Sequence, residues 1–120
     1  MSEKKKLGKQ GEEIACGYLV GKGYKILERN FKKPWGELDI VALAPDKTLV
    51  FVEVKTSVEG SNFKPEDQMT SAKIEKFKKI ANFYANLKPE LIDDKKGWRL
   101  DLIAIIFQEP PLISHYQQLL

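Results

Sequence analysis

Two strongly apolar segments, residues 37–44 and 48–55, follow each other with only three residues between them. Both segments are rich in Val, Ile, Leu and Phe, a composition typical of β-strands. Because the connection Pro45-Asp46-Lys47 is so short, the simplest arrangement of the two strands is an antiparallel hairpin. We therefore expect a sheet in which these two strands are neighbours.

Two helices and two more strands are predicted around the hairpin. Apolar residues at helical spacing indicate helices over about residues 7–22 and 70–87. Residues 24–31 read as a strand, and residues 98–107 form the most hydrophobic strand, which we expect to be central in the sheet. The order helix, three strands, helix, strand predicts an α/β fold with a single mixed sheet flanked by helices.

The length and composition fit one globular domain. The chain has 120 residues, of which 42% are hydrophobic and 31% are charged, values typical of a soluble globular protein. No apolar run approaches the roughly 18 residues that span a bilayer. The charged N-terminus lacks the apolar segment of a secretory signal, so we expect a cytoplasmic protein with no membrane partner.

Single copies of two residue types narrow the chemistry. Cys16 is the only cysteine, which excludes an internal disulfide and a cysteine zinc cluster. His115 is the only histidine and lies isolated in the terminal segment, which disfavours a Ser/His/Asp or Cys/His enzyme. The net charge of +3 permits a nucleic-acid partner without requiring one.

Charged residues interrupt the two strands of the hairpin. Side chains of a strand alternate between faces, so Glu53 and Lys55 point the same way, and Glu37 and Asp39 share one face of the preceding strand. If the hairpin turns symmetrically about Asp46, Asp39 lies opposite Glu53 and Glu37 lies opposite Lys55. Directly opposed Cβ atoms are about 4.5–5.5 Å apart. The spacing therefore predicts two carboxylates and a lysine in one place.

Two carboxylates at that separation repel each other, and burying each one costs several kcal/mol without compensation. A divalent cation with oxygen ligands, Mg²⁺ or Mn²⁺, satisfies such a pair best. Lys55 is placed to hold an attacking water or to offset charge on a phosphate oxygen. The spacing alone is equally consistent with an exposed sheet face that carries a Glu–Lys pair, and a one-residue slip in register would separate the groups.

Three further charged residues have two interpretations each. Glu12 lies at the boundary of the apolar face of the first helix, where it either leans toward the sheet or, as spacing favours, interacts with the helix dipole. Lys73 falls within the apolar face of the second helix, so it either extends past the sheet edge or points at the acidic site. Asp101 shares a face with Arg99, which favours an ion pair over a catalytic role.

These residues carry a family resemblance. GELDIVA followed by FVEVKT resembles the Asp…Glu-x-Lys core of the PD-(D/E)XK nuclease superfamily, whose restriction endonuclease-like fold has the same αβββαβ order. The chain also resembles the YraN-like uncharacterised protein family through GKQGEEIA, ERNF, a lysine that opens the second helix, and WRLDLIAI. The resemblance implies a single nuclease-like domain over residues 1–120, with a core at about 8–107 and a tail at 108–120. A lone Asp…Glu-x-Lys is a weak signal, but its combination with GxxGE and RLD is specific.

The resemblance implies a metal-dependent DNA endonuclease that hydrolyses phosphodiester bonds, including those of branched or structured DNA. Asp39 and Glu53 would bind Mg²⁺ or Mn²⁺ together with the backbone carbonyl of Val54. Glu12 would help to position the attacking water, and Lys55 would be the catalytic lysine. The basic residues expected to contact the DNA backbone are Lys32, Lys33, Lys64, Lys73 and Lys76.

Two other functions stay open. A non-catalytic nucleic-acid-binding domain would keep the basic surface and lose metal dependence, and a protein-interaction domain with a relict nuclease site would act through a partner. Ser57 stands where the family often has arginine, which argues against a phosphate contact there. Specificity is expected from a polar loop at residues 56–67, from a homodimer or from a protein partner.

Overall fold

The computed structural model describes residues 2–62 and 64–119, and within them the chain forms a five-stranded sheet with one long helix on each face. Two short 3-10 helices, Pro65–Gln68 and Pro89–Leu91, precede and follow the second long helix. The main elements in chain order are α1 (Glu3–Gly21), β1 (Lys25–Lys33), β2 (Gly36–Leu43), β3 (Leu49–Val58), α2 (Ser71–Leu87), β4 (Trp98–Phe107) and β5 (Leu112–Tyr116).

The sheet is mixed, as predicted. Its strands lie in the order β1-β2-β3-β4-β5, and only the β3–β4 pair is parallel. A parallel pair needs a crossover connection, and α2 supplies it. β4 is paired on both sides, so its place inside the sheet explains its strongly apolar sequence. The α/β class and the restriction endonuclease-like αβββαβ core are confirmed.

α1 is held against β3 by a glycine. The helix begins after Ser2, whose hydroxyl oxygen accepts a 3.2 Å hydrogen bond from the N–H of Lys5, so it starts earlier than its apolar pattern predicts. About two and a half turns after Ser2, a β-carbon on Gly11 would collide with the methyl group of Thr56 on β3. The close approach that glycine allows here brings the next residue, Glu12, to the sheet.

Two apolar clusters fill the spaces between the helices and the sheet. On one face, Ala15 and Leu19 of α1 pack on alternate residues of β2, β3 and β4. On the other face, Phe77, Ile80 and Tyr84 of α2 pack on the intervening residues. Both faces of the sheet are therefore covered, which leaves the strand ends as the places where a site can open.

β3 is longer than predicted. The expectation of a loop at residues 56–67 is wrong at its start, because residues 56–58 continue β3 and pair with residues 105–107 of β4. The polar composition of this stretch indicates a loop, but pairing with a neighbouring strand decides where a strand ends. Residue 63 of the expected loop lies outside the described residues.

The terminal segment adds an edge strand. β5 runs antiparallel to β4, with Leu102 opposite Tyr116 and Ile106 opposite Leu112. Residue 120 of the predicted tail lies outside the described residues. Across the described ranges, no helix has both the length and the apolar character needed to cross a membrane.

Candidate active site

The register of the hairpin agrees with the prediction. Residues 40–43 of β2 pair with residues 52–49 of β3, and this ladder ends one position short of Asp39 and Glu53. At that point the N–H of Val54 donates a 2.8 Å hydrogen bond to Oδ2 of Asp39. The side-chain carboxylate therefore serves as the acceptor for a β3 amide at the end of the ladder.

The predicted alternation of β2 breaks at Asp39. Leu38 and Val41 both pack against α2 although they are three residues apart, whereas Ile40 packs against α1. The expectation that positions 37, 39, 41 and 43 share one face is therefore wrong. Asn30, which lies between the β1 partners of Leu38 and Ile40, has a φ of 54°, a left-handed conformation that asparagine tolerates. The break on β2 thus lies opposite an irregular residue of β1, at the position where the Asp39 carboxylate accepts from the Val54 N–H.

Lys55 forms an ion pair with Glu53, with 3.3 Å between Nζ and Oε1. Glu37 pairs instead with Lys32 across the β1–β2 ladder, with 3.8 Å between Oε2 and Nζ. The predicted opposition of Glu37 and Lys55 is therefore wrong. Lys55 and Glu53 are two residues apart on β3, so their side chains point the same way. This spacing directs the Lys55 ammonium at the acidic site.

Asp39 and Glu53 are both largely removed from water. Asp39 is 7% exposed, and the Glu53 side chain is 18% exposed. Burial, followed by the charge of Glu53, raises the pKa of Asp39 to about 8, although the Val54 N–H opposes the shift. Burial also raises the pKa of Glu53, against the opposing effect of the Lys55 ammonium. The pair therefore has an unfavourable interaction that a cation would relieve.

Glu12 lies close enough to this pair to affect its protonation. Its charge contributes to the raised pKa of both Asp39 and Glu53. Burial raises the pKa of Glu12 itself, while Arg29 and Asn30 lower it. With its amide nitrogen turned toward the carboxylate, Asn30 donates to Oε1 and Oε2 of Glu12 at 3.2 and 3.3 Å. The ERNF segment thus positions the GxxGE glutamate.

A cavity of about 270 Å³ opens beside Glu53 and Lys55. Lys73 and Lys76 of α2 border it, and Lys73 is exposed there rather than buried in the apolar stripe of its helix. A second, wider groove of about 660 Å³ is lined by Lys55, Lys73 and Ser57 among others. Because Lys55 and Lys73 line both spaces, the Lys55 side chain borders the cavity and the groove alike.

The other predicted DNA-contacting lysines lie farther from the carboxylates. Lys32 and Lys33 are exposed at the end of β1, beside the turn into β2. Lys64 is exposed just before the 3-10 helix Pro65–Gln68. None of these three lines the cavity at Glu53. They can extend a basic surface but do not form the site itself.

The donor set suits a hard divalent cation. Asp39, Glu53 and the Val54 carbonyl offer only oxygen atoms, and Mg²⁺ is commonly held by one or two carboxylates with water completing its shell. A carboxylate accepts at both oxygens, so the Val54 N–H orients Asp39 while leaving it capable of binding an ion. Within residues 2–62 and 64–119, no group of three or more His, Cys, Asp or Glu side chains is assembled to hold a metal.

Sequence reasoning missed the partners of His115. Its Nε2 lies 2.8 Å from Oδ2 of Asp101, and its Nδ1 lies 3.1 Å from the hydroxyl of Tyr18. The view of His115 as an isolated residue is therefore wrong, because β5 carries it onto the sheet. The predicted Arg99–Asp101 pair is confirmed, with 3.0 Å between Nε and Oδ1. These residues tie the end of the chain to the core and do not line the cavity at Glu53.

Trp35 is the second residue that was missed. The sequence predicts only a turn at Pro34-Trp35-Gly36, and the structure has that turn with the Trp35 side chain lining the cavity. The available signal was a large aromatic residue at a position where Gly, Asn, Asp and Ser predominate.

The fold and the site define an α/β protein with a restriction endonuclease-like core and a buried carboxylate pair beside a lysine. A profile of the uncharacterised protein family UPF0102 matches residues 11–105, and the chain belongs to this family. The membership confirms the resemblance to the YraN-like proteins.

Curated members of the family resemble the chain over most of both lengths. A UPF0102 protein of Thermodesulfovibrio yellowstonii is 41% identical over 99 residues, which cover 82% of this chain and 84% of the relative. One from Syntrophomonas wolfei is 41% identical over 88% of each chain. One from Geobacter metallireducens is 42% identical over 92% of this chain and 88% of its own. Their names state no activity, so the function has to be argued from the site.

Proposed function

We propose that this protein is a metal-dependent nuclease that hydrolyses phosphodiester bonds in DNA. The observation that carries the proposal is the burial of Asp39 and Glu53 together beside Lys55, at a cavity bordered by further lysines. A buried, mutually repelling carboxylate pair is costly for folding, so its presence favours a functional role. The match of these same residues to the Asp…Glu-x-Lys motif adds independent support.

Asp39, Glu53 and the Val54 carbonyl would hold Mg²⁺ or Mn²⁺. Such an ion, when bound, would lower the pKa of a water molecule and neutralise charge on the scissile phosphate. The Val54 N–H keeps the Asp39 carboxylate in one orientation, so the ligand set is preorganised by the backbone. Two carboxylates then act as ligands rather than as a repelling pair.

Lys55 and Glu12 would act on the attacking water and the phosphate. The Lys55 ammonium is 3.3 Å from Glu53, so it can bridge from that carboxylate to a phosphate oxygen or orient the attacking water. Glu12, held by Asn30, would accept a hydrogen bond from the same water. Its raised pKa follows from burial and brings it nearer to the range in which a carboxylate exchanges protons near neutrality.

The surrounding lysines would bind the DNA backbone. Lys73 and Lys76 border the cavity, and Lys32, Lys33 and Lys64 would extend the contact outward. Contacts to phosphates position a substrate without reading its sequence. A homodimer would present two such sites, as symmetric cutting of a four-way junction requires, and a protein partner would add specificity. We infer a cytoplasmic location, where the protein meets chromosomal DNA.

The test is a cleavage assay on linear, flapped and four-way DNA with Mg²⁺, with Mn²⁺ and with EDTA. We expect metal-dependent products from the wild type and losses of at least about 100-fold in Asp39→Asn and Lys55→Ala, the size typical of removing a group that stabilises the transition state. Asp94→Asn, which removes an exposed carboxylate on the loop before β4, is the matched control and should cleave normally.

Three other results would contradict the proposal in different ways. Wild-type cleavage by both site variants would refute the assignment of the site. Salt-sensitive binding of DNA that needs no metal and yields no products would indicate a non-catalytic nucleic-acid-binding domain. Absence of metal binding in calorimetry, together with no retention of DNA, would indicate a protein-interaction domain.

A further inference from the structure

Trp35 occupies the mouth of the candidate active site. It stands on the turn between β1 and β2, its side chain is 43% exposed, and it lines the same cavity as Glu53 and Lys55. A single exposed aromatic residue needs no explanation in itself. Its position at the cavity that also holds Glu53 and Lys55 indicates a contact with whatever enters that cavity.

The indole is held in place by α2. A β-carbon on Gly36 would lie 3.3 Å from the Cβ of Ile80, so the turn is seated directly on the helix. The Trp35 and Phe83 rings meet edge to face, with centroids 5.1 Å apart and an interplanar angle of 88°. Trp35 therefore presents an aromatic surface that Phe83 supports, and we call the pair the Trp35–Phe83 platform.

Lysines surround the platform. The Lys79 ammonium lies 5.3 Å from the Trp35 centroid, and the Lys33 ammonium lies 5.6 Å from the Phe83 centroid. Lys76 borders both the cavity and an adjacent surface hollow that Lys79 also lines. Aromatic rings interleaved with cations are the combination that single-stranded nucleic acid recognises, because bases stack on the rings while phosphates meet the ammonium groups.

We propose that Trp35 stacks on an unpaired base of the DNA substrate, next to the phosphate that Lys55 contacts. Lys79 and Lys76 then bind the phosphates that flank this base. The inference rests on the proposed nuclease function and specifies its substrate as DNA with an unpaired stretch at the site, such as a flap, a gap or a single strand.

The preference for an unpaired base follows from geometry. A base inside a duplex has both faces covered by its neighbours, so a protein ring can stack on it only after the base leaves the stack. An unpaired base exposes a face without that cost. Stacking uses the face that every base has, so we expect this contact to tolerate any base.

Tryptophan emission tests the contact directly. The chain has two tryptophans, and Trp98 packs edge to face with Phe51 at 5.4 Å, a contact that Trp98→Phe largely preserves. In the Trp98→Phe protein, Trp35 is the only indole. We expect saturable quenching of its emission by a short oligothymidine in EDTA, and weaker binding of a blunt duplex of equal length. Unchanged emission with the single strand would overturn the proposal.

Substitutions at the platform give the second test. Trp35→Ala loses one stacked base and should bind single-stranded DNA about tenfold more weakly than the wild type. Trp35→Phe keeps an aromatic ring and should retain most of the affinity. Lys79→Gln should weaken binding and lower its salt dependence. Leu87→Ala, which removes an exposed apolar side chain from the far end of α2, and Lys95→Gln, which removes an exposed lysine before β4, are the matched controls. Equal binding by Trp35→Ala and Leu87→Ala would overturn the proposal, and tighter binding of single-stranded RNA than DNA would overturn the choice of DNA.

Binding in EDTA separates this inference from the nuclease proposal. If Trp35 quenching and the Trp35→Ala defect are seen but no cleavage occurs with any metal, the nuclease proposal fails and the stacking site stands. If the protein cleaves flapped DNA and Trp35→Ala cleaves it at the wild-type rate, the stacking site fails and the nuclease proposal stands.

Discussion

The N–H of Val54 donates a 2.8 Å hydrogen bond to Oδ2 of Asp39 at the end of the β2–β3 ladder. An aspartate side chain thus replaces the main-chain acceptor that a longer hairpin would provide. The same bond fixes a carboxylate beside Glu53 in a region that both strands keep away from water. Structure and site are therefore coupled, because the residue that ends the ladder is also a carboxylate whose charged form is disfavoured by burial and by Glu53.

Asp39→Asn should stabilise the metal-free protein near neutral pH. Asparagine retains an oxygen acceptor for the Val54 N–H and removes the buried charge. The pKa of Asp39 rises from an ordinary 3.8 to about 8 in the folded protein, so the folded state holds this proton more tightly than the unfolded chain does. The stability that the protonated carboxyl contributes is therefore complete below pH 3.8 and is lost as the pH rises toward 8. Thermal unfolding in EDTA should therefore show a higher Tm for Asp39→Asn at pH 7–8 and no gain at pH 4.

The control for that experiment is Asp94→Asn, which removes an exposed charge. Its Tm should follow that of the wild type at every pH. A wild-type Tm for Asp39→Asn at pH 8 would show that the buried charge is already compensated within the protein.

Divalent metal should reverse the order of stability. Mg²⁺ or Mn²⁺ that binds only the folded protein stabilises it by mass action, by about 2.7 kcal/mol at 100 times Kd. The Tm of the wild type should rise with metal concentration, and the Tm of Asp39→Asn should respond far less because one of its two carboxylate ligands is gone. Titration calorimetry of both proteins checks the same point, and equal metal responses would remove Asp39 from the ligand set.

The contact between Gly11 and Thr56 should control the position of Glu12. A methyl group in Gly11→Ala would collide with Thr56, and overpacking of this kind costs about 1–3 kcal/mol. Gly17→Ala is the matched control, since its β-carbon meets nothing within 4 Å, and it should stabilise the exposed side of α1 by up to about 1 kcal/mol. Urea unfolding measures both changes.

A second substitution makes this prediction specific. Thr56→Ser removes the methyl group that Gly11→Ala would strike, so the double variant should be more stable than the sum of the two single effects. If the two effects on the free energy of unfolding are strictly additive, α1 relieves the collision by shifting away from β3. DNA cleavage by Gly11→Ala should fall at least as much as its lower stability accounts for, because α1 also carries Glu12.

The parts of the fold that depend on local pattern were predictable from the sequence. The strand at residues 98–107 has the predicted bounds, because a mostly apolar run begins after Gly97 and ends at a polar segment. The β2–β3 register follows from a connection of three residues. Asp39, Glu53 and Lys55 were predictable as a group for that reason, together with the family motif.

The remaining features depend on contacts between distant segments. The reversal of faces at Asp39 lies opposite the left-handed Asn30 of another strand, and the Asp39 carboxylate there accepts from the N–H of Val54 on a third. The extension of β3 through Val58 and the formation of β5 both depend on pairing with β4, which no local composition reveals. Trp35 lines the active-site cavity only because the turn is seated on α2, a contact made across more than forty residues of sequence.

His115 should anchor β5 through a buried carboxylate. Asp101 is fully buried, and although burial favours its neutral form, hydrogen bonds from His115 and Arg99 and from the N–H of Gln118 hold its pKa below the usual value. Because that carboxylate only accepts, Nε2 of His115 carries a proton toward it, and Nδ1 on the other side of the ring lies 3.1 Å from the Tyr18 hydroxyl. The network thus joins α1, β4 and β5 through one imidazole.

His115→Ala should lower the free energy of unfolding by about 1.5–3 kcal/mol, the range for a hydrogen bond to a charged group. Limited proteolysis should then cut the terminal segment first, because β5 is an edge strand that depends on this contact. Gln117→Ala, an exposed neighbour on the same segment, should behave like the wild type in both measurements. Wild-type stability of His115→Ala would mean that β5 is held by its backbone pairing with β4 alone. DNA cleavage by His115→Ala should persist under conditions where the variant is folded, because His115 does not line the cavity that contains Glu53 and Lys55.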